Sequence, residues 1–262
     1  MITDIILLHG VAGVGKGYIA NKIKNDIDFA KLINHNINEN TKFISISIAT
    51  TLKKDLMDLL AINSIELLNK FKVKPNMLFD IPVDTVFTLI KQKYKIRTVP
   101  MLDIINSNSA IEYSTVEEQR SDMLLLDAIH KYFNVSDEGI ISTNVRSLHQ
   151  QYADLLKYVT SESIFVSSML NIIETEKQFT NDNTILIIDD LRYYVEAQEI
   201  TKYCILSNIK YSICLVYGNN GYNLDKHSSE VLLDKLTFDK YIYNSKVDTD
   251  IKVFDHKWSP DD

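Results

Sequence analysis

The sequence predicts an α/β fold, in which helices cover a central, mostly parallel sheet of five strands and a large helical insertion interrupts the core. Three observations predict it. First, the amino terminus shows a strand pattern, then a glycine-rich turn, then a helical pattern. Second, further strand patterns occur only near the two ends of the chain. Third, the middle has mainly helical periodicity. The 262 residues, 45% of them apolar, suffice for one large core. We expect a single domain, with its core at about 1–60 and 180–255, a helical region at about 61–179 and a tail at 256–262.

Composition narrows the class of protein. The formal net charge of −7 argues against a surface that coats nucleic acid, because such a surface is basic. No apolar stretch has the length of a membrane span, and the amino terminus lacks the pattern of a signal peptide. We expect a cytoplasmic protein with no membrane and no stable nucleic-acid partner, in which Cys204 and Cys214 are buried free thiols. The oligomeric state is left open, a homodimer included.

The first element is an apolar strand, 5–8, which leads into the loop 10–17 (GVAGVGKG). Four of the chain's 7 glycines lie in this loop, and glycine lets backbone N–H groups turn inward around a polyphosphate. Lys16 adds a full positive charge where a helix begins with its own positive end. The pattern predicts a phosphate-binding loop; the alternative is a tight turn that binds nothing. Gly17 departs from it, because Ser or Thr usually stands there to help hold Mg²⁺.

One helix and a second strand are predicted after the loop. The helix is indicated by apolar residues at helical spacing: Ile19, Ile23, Ile27 and Ala30. The alternating segment 42–49 (KFISISIA) indicates a strand, and Thr50 and Thr51 then offer an N-cap to a helix over about 52–60. Open α/β sheets bind ligands where strands end and such helices begin.

The middle of the chain, about 62–178, is mainly helical in its periodicity, with breaks at its prolines: Pro75, Pro82 and Pro100. Thr115 and Glu118 resemble a capping box that opens a helix through Phe133. The segment 136–139 (SDEG) is typical of a turn.

Two more helices are predicted from about Asn144 and over 163–176. The first has one apolar face: Val145, Leu148, Tyr152, Leu155, Leu156 and Val159. The second is expected to bury Phe165, Met169, Leu170 and Ile173. The other side of the first helix carries Arg146, His149 and Gln150. Such a face is most often only solvated, but Arg146 is one of just four arginines and suits phosphate binding.

The apolar run 184–188 (TILII) predicts a central parallel strand, and Asp189 and Asp190 follow it. A carboxylate at such a strand end organises Mg²⁺ or its waters beside a phosphate loop; the alternative is that both residues cap the next helix, which reaches about 207. Arg192 and Glu196 share a face of that helix. They form either an exposed ion pair or, because a cation opposes the macrodipole there, a phosphate site.

The carboxyl-terminal part predicts two more strands, 211–217 and 240–243, with a helical stretch at 229–236 between them. No internal repeat or low-complexity tract interrupts the pattern. The strands of the two ends therefore belong to one sheet.

In their order and spacing these motifs resemble those of the deoxynucleoside monophosphate kinases of T4-type bacteriophages, within the P-loop nucleoside monophosphate kinases. The resemblance covers most of the chain outside about 61–140. It is carried by 10–16, 43–53 (FISISIATTLK), 145–150 (VRSLHQ), 190–192 (DLR) with Glu196, 227–230 (HSSE) and 238–244 (FDKYIYN).

The resemblance implies a three-layer P-loop kinase fold and an ATP- and Mg²⁺-dependent phosphorylation of (deoxy)nucleoside monophosphates, which supplies precursors for DNA synthesis. The residues it implies for catalysis are Lys16, Arg146, Arg192 and Asp190. Those it implies for ATP binding are Gly10, Val11, Gly13, Val14, Gly15, Lys16, Gly17 and Tyr18. Those it implies for the acceptor nucleotide are Ala49, Thr50, Lys53, Gln150 and Glu196, and the metal is expected near Asp189 and Asp190.

Gly17 also departs from this family, which commonly has Asp at that position and not Ser or Thr. Further departures at 153–154, 165–166 and Tyr193 leave the preferred base open. Two other functions stay open as well. One is a P-loop phosphotransferase that acts on a polynucleotide end or a small metabolite, and the other is a nucleotide-binding protein with impaired catalysis.

Overall fold

The computed structural model describes residues 2–10, 13–96, 110–177, 183–218, 236–245 and 251–255. The chain divides into two compact units, Met1–Thr50 with Phe165–Asp262, and Thr51–Ile164. In chain order the elements are β1 (Ile2–His9), α1 (Lys16–Asn25), α2 (Ile27–Ile33), β2 (Lys42–Ile46), α3 (Thr50–Leu59), α4 (Ile65–Lys72), β3 (Phe79–Pro82), α5 (Val83–Lys93), α6 (Ala110–Tyr132), β4 (Ile140–Thr143), α7 (Val145–Val159), α8 (Ile164–Lys177), β5 (Thr184–Leu191), α9 (Tyr194–Leu206), β6 (Lys210–Tyr217), β7 (Lys240–Asn244) and β8 (Ile251–Phe254).

The first unit is built on a sheet with the strand order β2-β5-β1-β6-β7-β8. The strands β2 to β7 of this order run parallel, and β8 is antiparallel to β7. From the neighbouring strands β1 and β5 the chain leaves in opposite directions, towards β2 and towards β6. Such a point, beyond the carboxyl ends of the strands, is where open α/β sheets bind ligands. The predicted α/β class and the mostly parallel sheet are confirmed.

The predicted count of five strands is wrong, because β8 adds a sixth strand at the edge of the sheet. The strand expected to be the last, 240–243, is followed by another. β8 has only four residues, and each of them is partly or fully exposed. A short edge strand needs little apolar surface, so its sequence pattern is weak.

The core of the first unit lies between the sheet and the helices α1 and α2. Alternate residues of the strands face these helices, as the pleat of a strand requires. The buried side chains of this cluster come from β1, β5, β6, β7, both helices, the loop before α1 and the segment after α2: Ile6, Leu8, Val14, Ile19, Ala20, Ile23, Phe29, Ala30, Ile33, Ile37, Ile185, Ile187, Cys214, Val216 and Ile242. The intervening residues of β1 and β5 are buried too, so both strands are covered on both faces.

The helix predicted over 19–30 is divided in two at Asp26. This residue has an extended backbone, and its carboxylate caps α2 by accepting a hydrogen bond from the N–H of Phe29 at 3.0 Å. Aspartate competes with a continuing helix in this way, which apolar periodicity does not reveal. Two strand ends also differ from the prediction: β2 ends at Ile46 and not at 49, and β5 continues to Leu191 and not to 188.

The second unit contains a small antiparallel sheet, β3 with β4, where only helices were expected. Each strand has four residues, and Pro82 ends β3, so neither shows a clear strand pattern. The predicted capping box at Thr115 is wrong, because α6 already begins at Ala110. The turn at 136–139 is confirmed by a hydrogen bond from the N–H of Gly139 to the carbonyl of Ser136 at 2.9 Å.

The prediction for α7 is confirmed at its start and along its buried face. The Oδ1 atom of Asn144 accepts a hydrogen bond from the N–H of Ser147 at 2.9 Å, which caps the helix. All six predicted core residues of α7 are buried. In α8 the residues Phe165, Met169 and Ile173 are buried as expected, but Leu170 is only partly buried.

Cys204 and Cys214 are buried free thiols, as expected. Burial raises the pKa of each thiol to about 12, so neither is a nucleophile at neutral pH. In the part of the chain that the structure describes, no helix combines the length and the apolar character that crossing a membrane requires.

Candidate functional site

The loop between β1 and α1 holds glycine residues where other residues are strained or excluded. Gly10 and Gly15 have φ angles of 152° and 96°. A Cβ atom at Gly10 would overlap the carbonyl oxygen of Val216, and a Cβ atom at Gly15 would overlap the side-chain amide of Asn244. The turn therefore requires glycine at both positions. Such a turn leaves backbone N–H groups in a concave arrangement that suits an anion.

Lys16 is the first residue of α1 and is half-buried. Its Nζ donates a hydrogen bond to the carbonyl of Gly10, so the side chain lies back along the loop. The N-cap residue, Gly15, has no side chain with which to cap α1, and none of the described residues in the first turn is acidic. The ammonium group and the start of the helix therefore give the loop a positive character.

Asn244, the last residue of β7, also contacts the loop. It was not among the predicted site residues. It is buried, and its side-chain amide donates a hydrogen bond to the carbonyl of Val14 at 3.0 Å. The signal in the sequence was weak: a polar residue at the carboxyl end of a predicted parallel strand. Its contact with the loop depends on residues far apart in the chain.

Asp189 lies next to the start of α1. A Cβ atom at Gly17 would lie 3.7 Å from the Oδ2 atom of Asp189, which is an ordinary van der Waals distance. Position 17 therefore has room for a Cβ atom, and the absence of Ser or Thr there is not caused by a steric clash at that atom. One carboxylate and the lysine of the loop thus lie at the same edge of the sheet.

Asp190 binds a different part of the site, the turn between β2 and α3. Its carboxylate accepts hydrogen bonds from the N–H of Ile48 at 2.7 Å, from the N–H of Ala49 at 3.1 Å and from the hydroxyl of Ser47. The turn continues into α3, where the N–H of Thr50 donates to the carbonyl of Ser47 at 3.0 Å. Asp190 thus holds Ala49 directly, and Thr50 is bound to Ser47 of the same turn; Ala49 and Thr50 are two predicted acceptor residues. Ser47, which sequence reasoning did not single out, completes the turn.

Glu196 caps α9 from inside. Its Oε2 atom accepts hydrogen bonds from the N–H groups of Arg192 and Tyr193 at 2.8 and 2.9 Å, and the side chain is buried. The structure thus shows a capping role for Glu196, while its predicted role at the acceptor stays a prediction. Arg192 is exposed just before the helix. The prediction that Arg192 and Glu196 share a face of the helix is wrong, because α9 begins only at Tyr194 and the Glu196 carboxylate turns back to cap it.

The other predicted residues belong to the second unit. Lys53 is half-buried on α3, and Arg146 and Gln150 are exposed on α7, one turn apart on the same side. His149 beside them is half-buried.

In the first unit the structure brings the loop, Asp189 and the turn held by Asp190 to one edge of the sheet. Tyr18 is exposed there, whereas Val11 lies outside the described residues.

His9 ends β1 directly before the loop and is buried. Its ring Nδ1–H donates to the carbonyl of Leu191 at 3.0 Å, and the ring stacks on Phe238 with 5.8 Å between the centroids. Burial, with a smaller contribution from the charge of Lys16, lowers the pKa of His9 to about 4 against the opposing effect of the hydrogen bond to the Leu191 carbonyl. The imidazole is therefore neutral at pH 7.

Comparison of the chain with models of known protein families and with curated protein sequences finds no match. Among the described residues, no group of three or more His, Cys, Asp or Glu side chains is arranged to hold a metal ion.

Proposed function

We propose that this chain is an ATP-dependent nucleoside monophosphate kinase with a P-loop kinase fold, and that deoxynucleoside monophosphates are its principal acceptors. The observation that carries the proposal is the loop after the central strand β1, where a left-handed glycine turn opens into a helix whose first residue is Lys16. Backbone N–H groups, a helix start and an ammonium group are the elements that bind a polyphosphate.

The strand order supports the same proposal. The loop follows β1, and β1 and β5 diverge at the point where an open sheet binds ligands. β5 brings two carboxylates to this edge, one beside the loop and one at the β2–α3 turn. A loop for a phosphate chain and a second, separately held turn are what a transfer between two anionic substrates requires.

In this proposal the residues of the chain act by positioning and by neutralising charge. The loop and Lys16 bind the phosphates of ATP. Arg192, exposed at the start of α9, binds charge on the transferred group. Arg146, Lys53 and Gln150 keep the acceptor roles that the resemblance implies. No side chain has to form a covalent intermediate, because the acceptor phosphate is itself the nucleophile.

Magnesium is the metal that the proposal implies, and the residues present fit it in part. Mg²⁺ keeps several waters and binds one or two carboxylates together with substrate phosphates, so it needs no cluster of protein ligands. Asp189, beside the loop, fits such a role directly or through water. Asp190 fits it less well, because both of its oxygens already accept hydrogen bonds. When bound, the metal neutralises charge that develops on the phosphates.

A coupled assay of ADP release tests the proposal. The protein is incubated with ATP and Mg²⁺ and each deoxynucleoside and ribonucleoside monophosphate in turn. We expect one or a few monophosphates to stimulate ADP release well above the rate with ATP alone. If none does, the kinase proposal is wrong. Binding of ATP without turnover would then favour a nucleotide-binding protein, and turnover with a polynucleotide end or a small metabolite would favour another phosphotransferase.

A further inference from the structure

A fully buried carboxylate joins three helices of the second unit. Asp55, on α3, is 0% exposed. Its Oδ1 atom accepts a hydrogen bond from the Nζ of Lys93 at 2.8 Å, and its Oδ2 atom accepts from the hydroxyls of Tyr94 and Tyr152, the latter at 3.2 Å. Lys93 ends α5, Tyr94 is the C-cap of that helix, and Tyr152 lies in α7. One side chain is therefore shared by α3, α5 and α7.

The donors around Asp55 suit a charged carboxylate. Lys93 supplies a positive charge and also contacts Asp58 at 2.6 Å. Burial, with the nearby charge of Asp55, raises the pKa of both tyrosines far above its usual value, so both hydroxyls stay protonated. A buried polar group of this kind costs free energy unless its partners are held in place, and it therefore defines one geometry.

The residues that meet at Asp55 are close in sequence to the predicted acceptor residues of the second unit. Asp55 is two residues from Lys53 on α3, about 3 Å along the helix axis. Tyr152 is two residues from Gln150 and six from Arg146 on α7, about 3 and 9 Å along the axis. Apolar burial holds α7 in the core without direction, whereas a hydrogen bond has a defined length and angle. The bond from Tyr152 to Asp55 is thus a directional link between the helices that carry these residues.

We infer that Asp55 is a positioning residue, which acts through Tyr152 to hold α3 and α7 so that Lys53, Arg146 and Gln150 present one binding geometry to the acceptor monophosphate. The inference rests on the proposed function for its substrate, but its geometry belongs to the second unit alone. In this role Asp55 itself touches no substrate. It acts only through the helices that it joins.

Two matched variants test the inference by steady-state kinetics. Tyr152→Phe removes the hydroxyl that links α3 to α7, and Tyr94→Phe removes the hydroxyl that links α3 to α5. We expect Tyr152→Phe to lower kcat/KM for the monophosphate about tenfold, while the KM for ATP stays within about twofold. Tyr94→Phe is expected to leave both constants within about twofold. Equal effects of the two variants, or an equal effect on both substrates, would overturn the inference.

A distance measurement tests the same inference without any activity. Nitroxide labels are placed on the exposed positions of α3 and α7 by Lys54→Cys and Asp154→Cys, with Cys204→Ala and Cys214→Ala to remove the native thiols. We expect Tyr152→Phe to broaden the distribution of label distances and Tyr94→Phe to leave it unchanged. Urea unfolding of each variant confirms that the protein is folded.

The two measurements separate this inference from the proposed function. If the wild-type chain phosphorylates no monophosphate, the proposed function fails, and the label distances alone decide whether Asp55 and Tyr152 fix the helices. If the wild type is active and Tyr152→Phe changes neither the kinetics nor the distances, the inference fails while the proposed function stands.

Discussion

His9 and Lys16 lie at the two ends of the same loop, and His9 is the more deeply buried of the two. His9 is enclosed between the carbonyl of Leu191 and the ring of Phe238, which favours its neutral form. Lys16 is only half-buried, and its ammonium reaches the carbonyl of Gly10. Because His9 is neutral, Lys16 carries the positive side-chain charge of the two, and this charge attracts a phosphate chain to the loop.

Lys16→Ala tests that single charge. We expect kcat/KM for ATP to fall about 10²–10³-fold, as for the loss of one preorganised electrostatic group. Lys24→Ala is the matched control, because it removes the same charge from an exposed position of the same helix. The coupled assay measures both variants. A loss of similar size in Lys24→Ala, or none in Lys16→Ala, would contradict the role given to Lys16.

His9 predicts a pH dependence of stability. Its pKa is about 4 in the folded chain and 6.5 for an unperturbed histidine, so the unfolded chain binds more protons between these limits. The contribution of His9 is complete above pH 6.5 and is lost as the pH falls to about 4, by up to about 3 kcal/mol. Urea unfolding at several pH values measures it. In His9→Gln the slope over this range should be smaller; an unchanged slope would show that other groups cause it.

At the scale of an element, the carboxyl end of β5 carries two neighbouring carboxylates that make different contacts. Asp189 and Asp190 lie between Ile188 and Leu191, where the pairing of β5 with β1 is irregular. Asp189 lies beside Gly17 at the start of α1, and Asp190 binds the N–H groups of the β2–α3 turn. Both residues belong to β5, which is longer than the sequence predicts, and do not follow it.

Asparagine variants distinguish the roles of the two carboxylates. Asp190→Asn should lower the free energy of unfolding by about 1–3 kcal/mol, because the N–H groups of Ile48 and Ala49 lose a charged acceptor. Asp189→Asn should change stability by less than about 0.5 kcal/mol and lower kcat/KM about 10–100-fold, as for a group that orients a metal. Urea unfolding and the coupled assay measure both variants. The reverse pattern would show that the two roles are exchanged.

At the scale of the whole molecule, the chain forms a sheet unit from its two ends and a mainly helical unit from its middle. The division at 50/51 and 164/165 differs from the expected division near 60 and 180 because α3 belongs with the helical unit and α8 with the sheet unit. Both units carry residues with proposed roles. Because the loop belongs to the sheet unit, a ligand that binds the loop should raise the free energy of unfolding of that unit.

Ligand-linked stability tests this at the level of the folded chain. ATP with Mg²⁺ at about 100 times its dissociation constant should raise the free energy of unfolding by about 2.7 kcal/mol, because a ligand of the folded state shifts the equilibrium. Thermal unfolding measures the change, and removal of Mg²⁺ with a chelator should reduce it. Lys16→Ala should show little stabilisation at the same concentration. Equal stabilisation of Lys16→Ala would place the nucleotide elsewhere.

Features that depend on neighbours along the chain were predictable from the sequence alone. The loop with Gly10, Gly15 and Lys16, the buried run of β5 and the capped, amphipathic α7 were all predictable. Glycine content, apolar runs and helical spacing report local backbone and burial preferences directly. The parallel sheet followed from the strands at both ends of the chain and from the unbroken apolar run of β5, which is typical of a central parallel strand.

Which polar groups contact one another depends on the packing of elements that are distant in the chain. Asp190 reaches Ser47, 143 residues away, and Tyr152 reaches Asp55, 97 residues away. Hydrogen bonds between such distant residues leave no periodicity in the sequence, because each is a property of two elements brought together by the core. The short strands β3, β4 and β8 were missed for a related reason, since four residues stabilise a strand only through the neighbour with which they pair.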